Sequence, residues 1–106
     1  MRLFRSELLA LAARTREQEL RWHLAQLLPR LGLARSQRRT LVSLLRNYLT
    51  DPSAIVRLSA LQALADVMVI DQDLRPLVRR HLRRALAAGS PAERARARKL
   101  LAASAV

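Results

Sequence analysis

Apolar residues fall at helical spacing along most of this chain, in blocks cut by proline, glycine and capping residues, and no strand pattern competes with them. The first block covers residues 3–13 and places Leu3, Phe4, Leu8 and Leu11 on one face. Thr15 with Gln18 has the spacing of a capping box for a second helix over residues 16–28, which Pro29 and Gly32 end. Ser36 is expected to cap a third, residues 37–49, with Leu41, Leu44, Leu45, Tyr48 and Leu49 on its apolar face. Asp51 as N-cap and Pro52 at the first helical position start a fourth that runs to about residue 70. Its polar side is only the stripe Ser59, Gln62 and Asp66, so it is expected in the middle of a stack. Asp73 is expected to cap the fifth helix, with Pro76 in its first turn and Gly89 as a left-handed C-cap. Ser90, Pro91 and Glu93 then open a sixth as N-cap, first-turn proline and capping-box glutamate. The fold class is all-α, about six helices joined by short turns.

The second, fourth and sixth helices also resemble one another. Leu20-Arg21-Trp22-His23-Leu24-Ala25-Gln26-Leu27-Leu28 aligns with Val56-Arg57-Leu58-Ser59-Ala60-Leu61-Gln62-Ala63-Leu64 at a period of 36, and the segment from Glu93 to Leu101 follows after 37. The run from Asp51 to Leu64, an Asp/Pro turn, a Val-Arg pair and then small and leucine positions, resembles the first helix of a short bacterial HEAT repeat. That resemblance covers about Thr15 onward and implies an α-solenoid of stacked helical hairpins. It divides one repeat domain, residues 1–106, into a partial leading repeat (1–14), two repeats (15–50 and 51–89) and a partial trailing repeat (90–106). The third copy departs from the motif, because Glu93 stands where the others carry an apolar residue before the arginine.

Composition changes the picture from architecture to partner. The 106 residues are 51% hydrophobic but 3% aromatic, which predicts a leucine and alanine core. There is no cysteine, and two histidines leave little for a metal cluster, so no metal and no cofactor are expected. Twenty basic residues against eight acidic give a formal charge of +12, and Lys99 is the only lysine. An Ala/Leu/Arg-rich composition accounts for part of the arginine excess. The remainder implies an acidic partner, since the guanidinium fork matches carboxylate and phosphate. No apolar run is long enough to span a bilayer, so no membrane is expected and the cytoplasm is the default compartment.

The arginines divide by position. Arg57 falls in the apolar sector of the fourth helix and Arg21 among leucines of the second, where a charge is costly unless paired. In the HEAT resemblance this arginine braces the inter-repeat turn, with Asp51 or the pair Asp71 and Asp73 as its carboxylate. Replacement of Arg57 is therefore expected to cost stability. On the fifth helix Arg79, Arg80 and Arg83 point away from the apolar stripe of Leu74, Leu77, Val78, Leu82 and Ala85, flanked by Arg75 and Arg84. Arg39 and Arg46 take the equivalent face of the third helix. The resemblance places these second helices on the concave surface, where the arginines would form one basic stripe.

Catalytic chemistry has little to use. The close carboxylate pairs Glu17/Glu19 and Asp71/Asp73 sit at helix starts, where capping explains them. His81 lies on the buried stripe as a satisfied core histidine, His23 has no triad around it, and Trp22 packs. The reading is a non-catalytic interaction module that binds an acidic protein surface through the arginine face. Sequence-independent binding of duplex DNA by that face is the alternative. Alkylpurine-type DNA glycosylases with HEAT-like helices grip DNA on such a surface, but this chain is too short and lacks their catalytic aspartate in a tryptophan-lined pocket. The end helices lack polar outer faces, so the ends are expected either to pair with another copy or to continue a longer array.

Overall fold

The computed structural model describes residues 2–104, with side chains from residue 4, and within them the chain is 84% helical with six α-helices and no strand. They are α1 (Arg2–Arg14), α2 (Gln18–Leu27), α3 (Arg35–Tyr48), α4 (Ala54–Ile70), α5 (Arg75–Ala88) and α6 (Pro91–Ala103). Single 3-10 turns, Leu28–Arg30 and Gln72–Leu74, follow α2 and precede α5. The Leu3 side chain and residues 105 and 106 of the tail lie outside the described residues.

Several helix ends differ from expectation, each for a local reason. The Thr15 hydroxyl accepts from the N–H of Glu17 at 3.2 Å, so Glu17, not Thr15, is the N-cap of α2, and no capping box with Gln18 forms. Ala34 takes the N-cap of α3, where Gln37 Oε1 accepts from its N–H at 2.9 Å, and Ser36 falls inside the first turn. Asp51 closes the turn before α4 by accepting from Ser53 N–H at 2.8 Å, and Ser53 becomes the N-cap. Asp71 does the same work before α5, accepting from Asp73 N–H at 3.2 Å. Ser90 and Pro91 open α6 as the sequence predicts, but Glu93 accepts from the Ser90 hydroxyl rather than its N–H. Gly89 is extended, with φ −76, and is needed for a different reason: a Cβ there would come within 2.6 Å of the Ala85 carbonyl oxygen. The left-handed glycine is Gly32, at φ +64.

Helix α4 is the centre, touching α2, α3, α5 and α6. Helices α2, α4 and α6 lie side by side in one row, and α1 lies beside α3 in the other. α3 packs on α4 and α5 most extensively on α6, whereas α2 and α3 scarcely meet, because residues 28–34 carry the chain across. In packing, α3 therefore pairs with α4 and α5 with α6, a grouping that cuts across the 15–50 and 51–89 division. The core is leucine and alanine, as expected, with valine added: Leu28, Leu41, Leu45, Leu61, Leu64 and Leu82 with Val56, Val67 and Val78 are fully buried, and Ala12, Ala25, Ala60, Ala63 and Ala97 fill the close contacts between them. Each of these leucines and valines contributes roughly 1.5–3 kcal/mol by leaving water. On α1 the buried residues are Leu9 and Ala12, while Phe4 is 56% exposed. Ser59, expected on the wet stripe of α4, is buried, and Ile55, Val69 and Ile70 are exposed instead. A serine is small enough to lie under a neighbouring helix, and the row of helices decides which side is covered.

Arginines tie the turns to this core. Arg21 donates through Nε to the Thr15 carbonyl at 2.8 Å and through Nη1 to the buried carboxylate of Asp51. Its guanidinium also lies 5.4 Å from the centroid of the Tyr48 ring, whose hydroxyl donates to Ala12 O. Arg57 donates to the carbonyls of Asp51 (2.7 Å) and Pro52 (3.0 Å) and to Glu93 Oε1 (2.8 Å). The carboxylate facing Arg57 is thus Glu93 of the next helix in the row, not Asp51, Asp71 or Asp73. Arg38 repeats the geometry unforeseen, donating to Leu33 O at 2.7 Å and to Asp71 Oδ2 at 2.9 Å.

These contacts set an acid limit on stability. The hydrogen bond from Arg38 holds the Asp71 carboxyl below its ordinary range. Burial pushes Glu93 up, but the bonds from Arg57 and Ser90 more than reverse it and leave Glu93 low as well. The unfolded chain therefore binds protons first, and the stability from both groups is full above about pH 4.5 and is lost as pH falls through the lowered folded values. Urea unfolding followed from pH 6 to pH 3 should show a midpoint that declines below about pH 4.5, and Asp71→Asn should make the decline shallower.

Candidate anion-binding groove

The two helices richest in arginine, α3 and α5, leave a cavity of about 500 Å³ between them over α4. Ser43, Arg46 and Asn47 of α3 form one wall, His81 and Arg84 of α5 the other, and Leu61 of α4 lies at the bottom. Leu61 is fully buried beneath it, whereas Arg46 and Arg84 reach solvent. A carboxylate or phosphate oxygen entering here meets two guanidinium forks, a side-chain amide and the hydroxyls of Ser43 and Thr50; the one anion of the lining, Glu93, is already bonded to Arg57 and Ser90.

His81 is the unusual member. It is 7% exposed, as its place on the apolar stripe predicts, but its Nε2 is buried with no hydrogen-bond partner among the described residues. The expectation of a satisfied core histidine is thereby corrected. Burial and then the positive charges of Arg46, Arg84 and Arg80 push the imidazole below its usual range, so it is neutral at pH 7. A buried polar atom without a partner costs about 1–3 kcal/mol. Part of the cause is visible in the sequence, since Arg80 and Arg84 flank His81 on its own helix; the structure adds Arg46 from α3.

The remaining arginines are split, so the expected single basic stripe does not form. Arg39 and Arg46 share a second cavity with Arg35, but Asp71 and Asp73 line it too, and Arg35 pairs with Asp73 at 3.2 Å. Arg75 and Arg79 turn the other way and bind the end of α6, Arg75 at the Ser104 carbonyl and Arg79 at the Ser104 hydroxyl. There they also complement the negative end of that helix. Arg80 and Arg83 are exposed, and with Arg75, Arg79 and Pro76 they line one open cavity on the outer side of α5, apart from Arg39 and Arg46 of α3. Of the seven arginines named from the sequence, Arg46 and Arg84 meet in the groove. Ser43 and Asn47 were not anticipated; their signal is only that they flank Arg46.

Trp22 packs against the core and stacks on His23, ring centroids 3.7 Å apart, with His23 outward. Among the described residues no three His, Cys, Asp or Glu side chains converge as a metal site. No helix among them is long and apolar enough to cross a membrane. No protein-family model, no curated protein and no solved structure matches this chain.

An NMR titration should find the His81 imidazole with a midpoint below about 6.5, and Arg46→Gln with Arg84→Gln should move it upward by removing two of its three facing cations.

Proposed function

We propose that the chain is a HEAT-like helical-repeat interaction module, without catalysis of its own, that binds an acidic protein surface in the groove between α3 and α5. The observation that carries this reading is the convergence of Arg46 and Arg84 on one cavity with an unpartnered, neutral histidine in its wall. The two-row arrangement, with α2, α4 and α6 in one row at a period of 36 and 37 residues, supports the solenoid part. A carboxylate side chain fits the groove in size and chemistry, since its oxygens take the guanidinium donors and its methylenes meet Leu61 and Ala85. A duplex would instead need a continuous cationic track on one face, and the cavity of Arg75, Arg79, Arg80 and Arg83 is separate from that of Arg39 and Arg46, which Asp71 and Asp73 also line. We read the protein as a cytoplasmic adaptor, with nucleic acid as the competing ligand that the following experiment decides.

Fluorescence anisotropy with a labelled glutamate-rich peptide and a labelled random-sequence duplex, at about 50 and 200 mM salt, separates the two. The peptide should bind the wild type, with Arg46→Glu/Arg84→Glu weakening it about tenfold or more, as loss of two charge-assisted bonds implies. Arg83→Glu, on the outer side, should change peptide binding little. Duplex binding that falls about 100-fold or more with salt and disappears in an Arg79/Arg80/Arg83 charge reversal would overturn the proposal in favour of nucleic acid.

A further inference from the structure

The row α2, α4, α6 is held by a repeated contact, and the contact is left half made at its end. The N-caps Glu17, Ser53 and Ser90 are 36 and 37 residues apart, and each is followed four residues later by an arginine: Arg21, Arg57 and Arg94. Each arginine donates to a carbonyl of the turn before its own helix, Thr15, Asp51 and Gly89 respectively. Arg21 and Arg57 also reach a carboxylate at the start of the next helix in the row, Asp51 and Glu93. Arg94 does not; it is exposed and makes no ion pair among the described residues. In the same register, Gln62 of α4 accepts from Arg96 of α6, and the position equivalent to Gln62 on α6 is Lys99, also exposed.

The opposite end of the molecule carries the complement. Among the described residues, Asp51, Asp71, Asp73 and Glu93 are all paired with arginines, whereas Glu7, Glu17 and Glu19 are exposed and form no ion pair. All three belong to α1 or to the start of α2, where Phe4 is also exposed. The acids that Arg21 and Arg57 use lie within three residues of an N-cap, and so do Glu17 and Glu19.

We propose that the molecule associates head to tail with a second copy, α2 of one copy lying on α6 of the next. Arg94 then faces Glu17 and Glu19, Lys99 lies one turn further along beside His23, and the α2–α4–α6 row continues across the interface. The contact is heterologous, so it leaves a free head and a free tail and grows into open chains. The formal +12 charge opposes assembly at low ionic strength. At physiological salt the long-range repulsion is screened beyond about 8 Å, while pairs in contact are screened much less.

Sedimentation velocity at about 150 mM salt, over roughly 10 µM to 1 mM protein, tests this. The wild type should show a weight-average mass that rises with concentration. Arg94→Glu/Lys99→Glu, and separately Glu17→Arg/Glu19→Arg, should each remain monomeric with unchanged helical circular dichroism. The second pair removes no hydrogen bond made by a side chain, so it guards against loss of fold in the first. An equimolar mixture of the two variants should associate again, because each supplies an end that matches the other. A wild type that is monomeric throughout, variants that associate as the wild type does, or a mixture that stays monomeric would each overturn the proposal.

Discussion

Everything in this fold rests on arginine closing a turn that the backbone leaves open. A turn between helices exposes carbonyls with no intrahelical partner, and a carboxylate beside it needs a counter-charge once buried. One guanidinium meets both needs, because its nitrogens donate in a fixed plane along different directions. Arg21, Arg38 and Arg57 each hold a turn carbonyl with one nitrogen and a carboxylate of a distant segment with another. The distances between helices are thereby set by side chains that look, in composition, like surplus charge.

That bracing explains where the groove lies. α4 is covered on several sides, and α3 is drawn toward it by Arg38 on Asp71, just past the end of α4. α5 is drawn toward α6 by Arg75 and Arg79 on Ser104. Arg35 and Arg38 also tie α3 to the turn that leads into α5, and the space left between the two helices over α4 keeps Arg46 and Arg84 beside His81. The unpartnered imidazole is the local cost of placing a polar residue on an apolar stripe among like charges.

Helix number, the leucine core, the central place of α4 and the opening of α6 by Ser90 and Pro91 were all legible in spacing and caps. Which residue of a capping cluster takes the cap was not: Thr15 and Asp51 each yield it to a residue two positions on, because their own atoms are occupied by the turn and by Arg21 or Ser53. The partner of Arg57 was hidden for a similar reason. Glu93 looks like a departure from the repeat until the structure brings it across 36 residues to the guanidinium. In the groove, the wheel of α5 separates Arg84 from Arg79 but cannot show which side meets α3 and which meets α6. That is decided by tertiary packing.

The most direct measurement is urea unfolding of Arg57→Lys beside Arg57→Ala. Lysine keeps the charge and much of the apolar stem but offers one compact ammonium in place of a fork that serves Glu93 and two carbonyls. If the geometry of the fork holds the turn, lysine loses most of what alanine loses, about 1–2 kcal/mol. A lysine variant as stable as the wild type would contradict the account, since charge alone would then suffice.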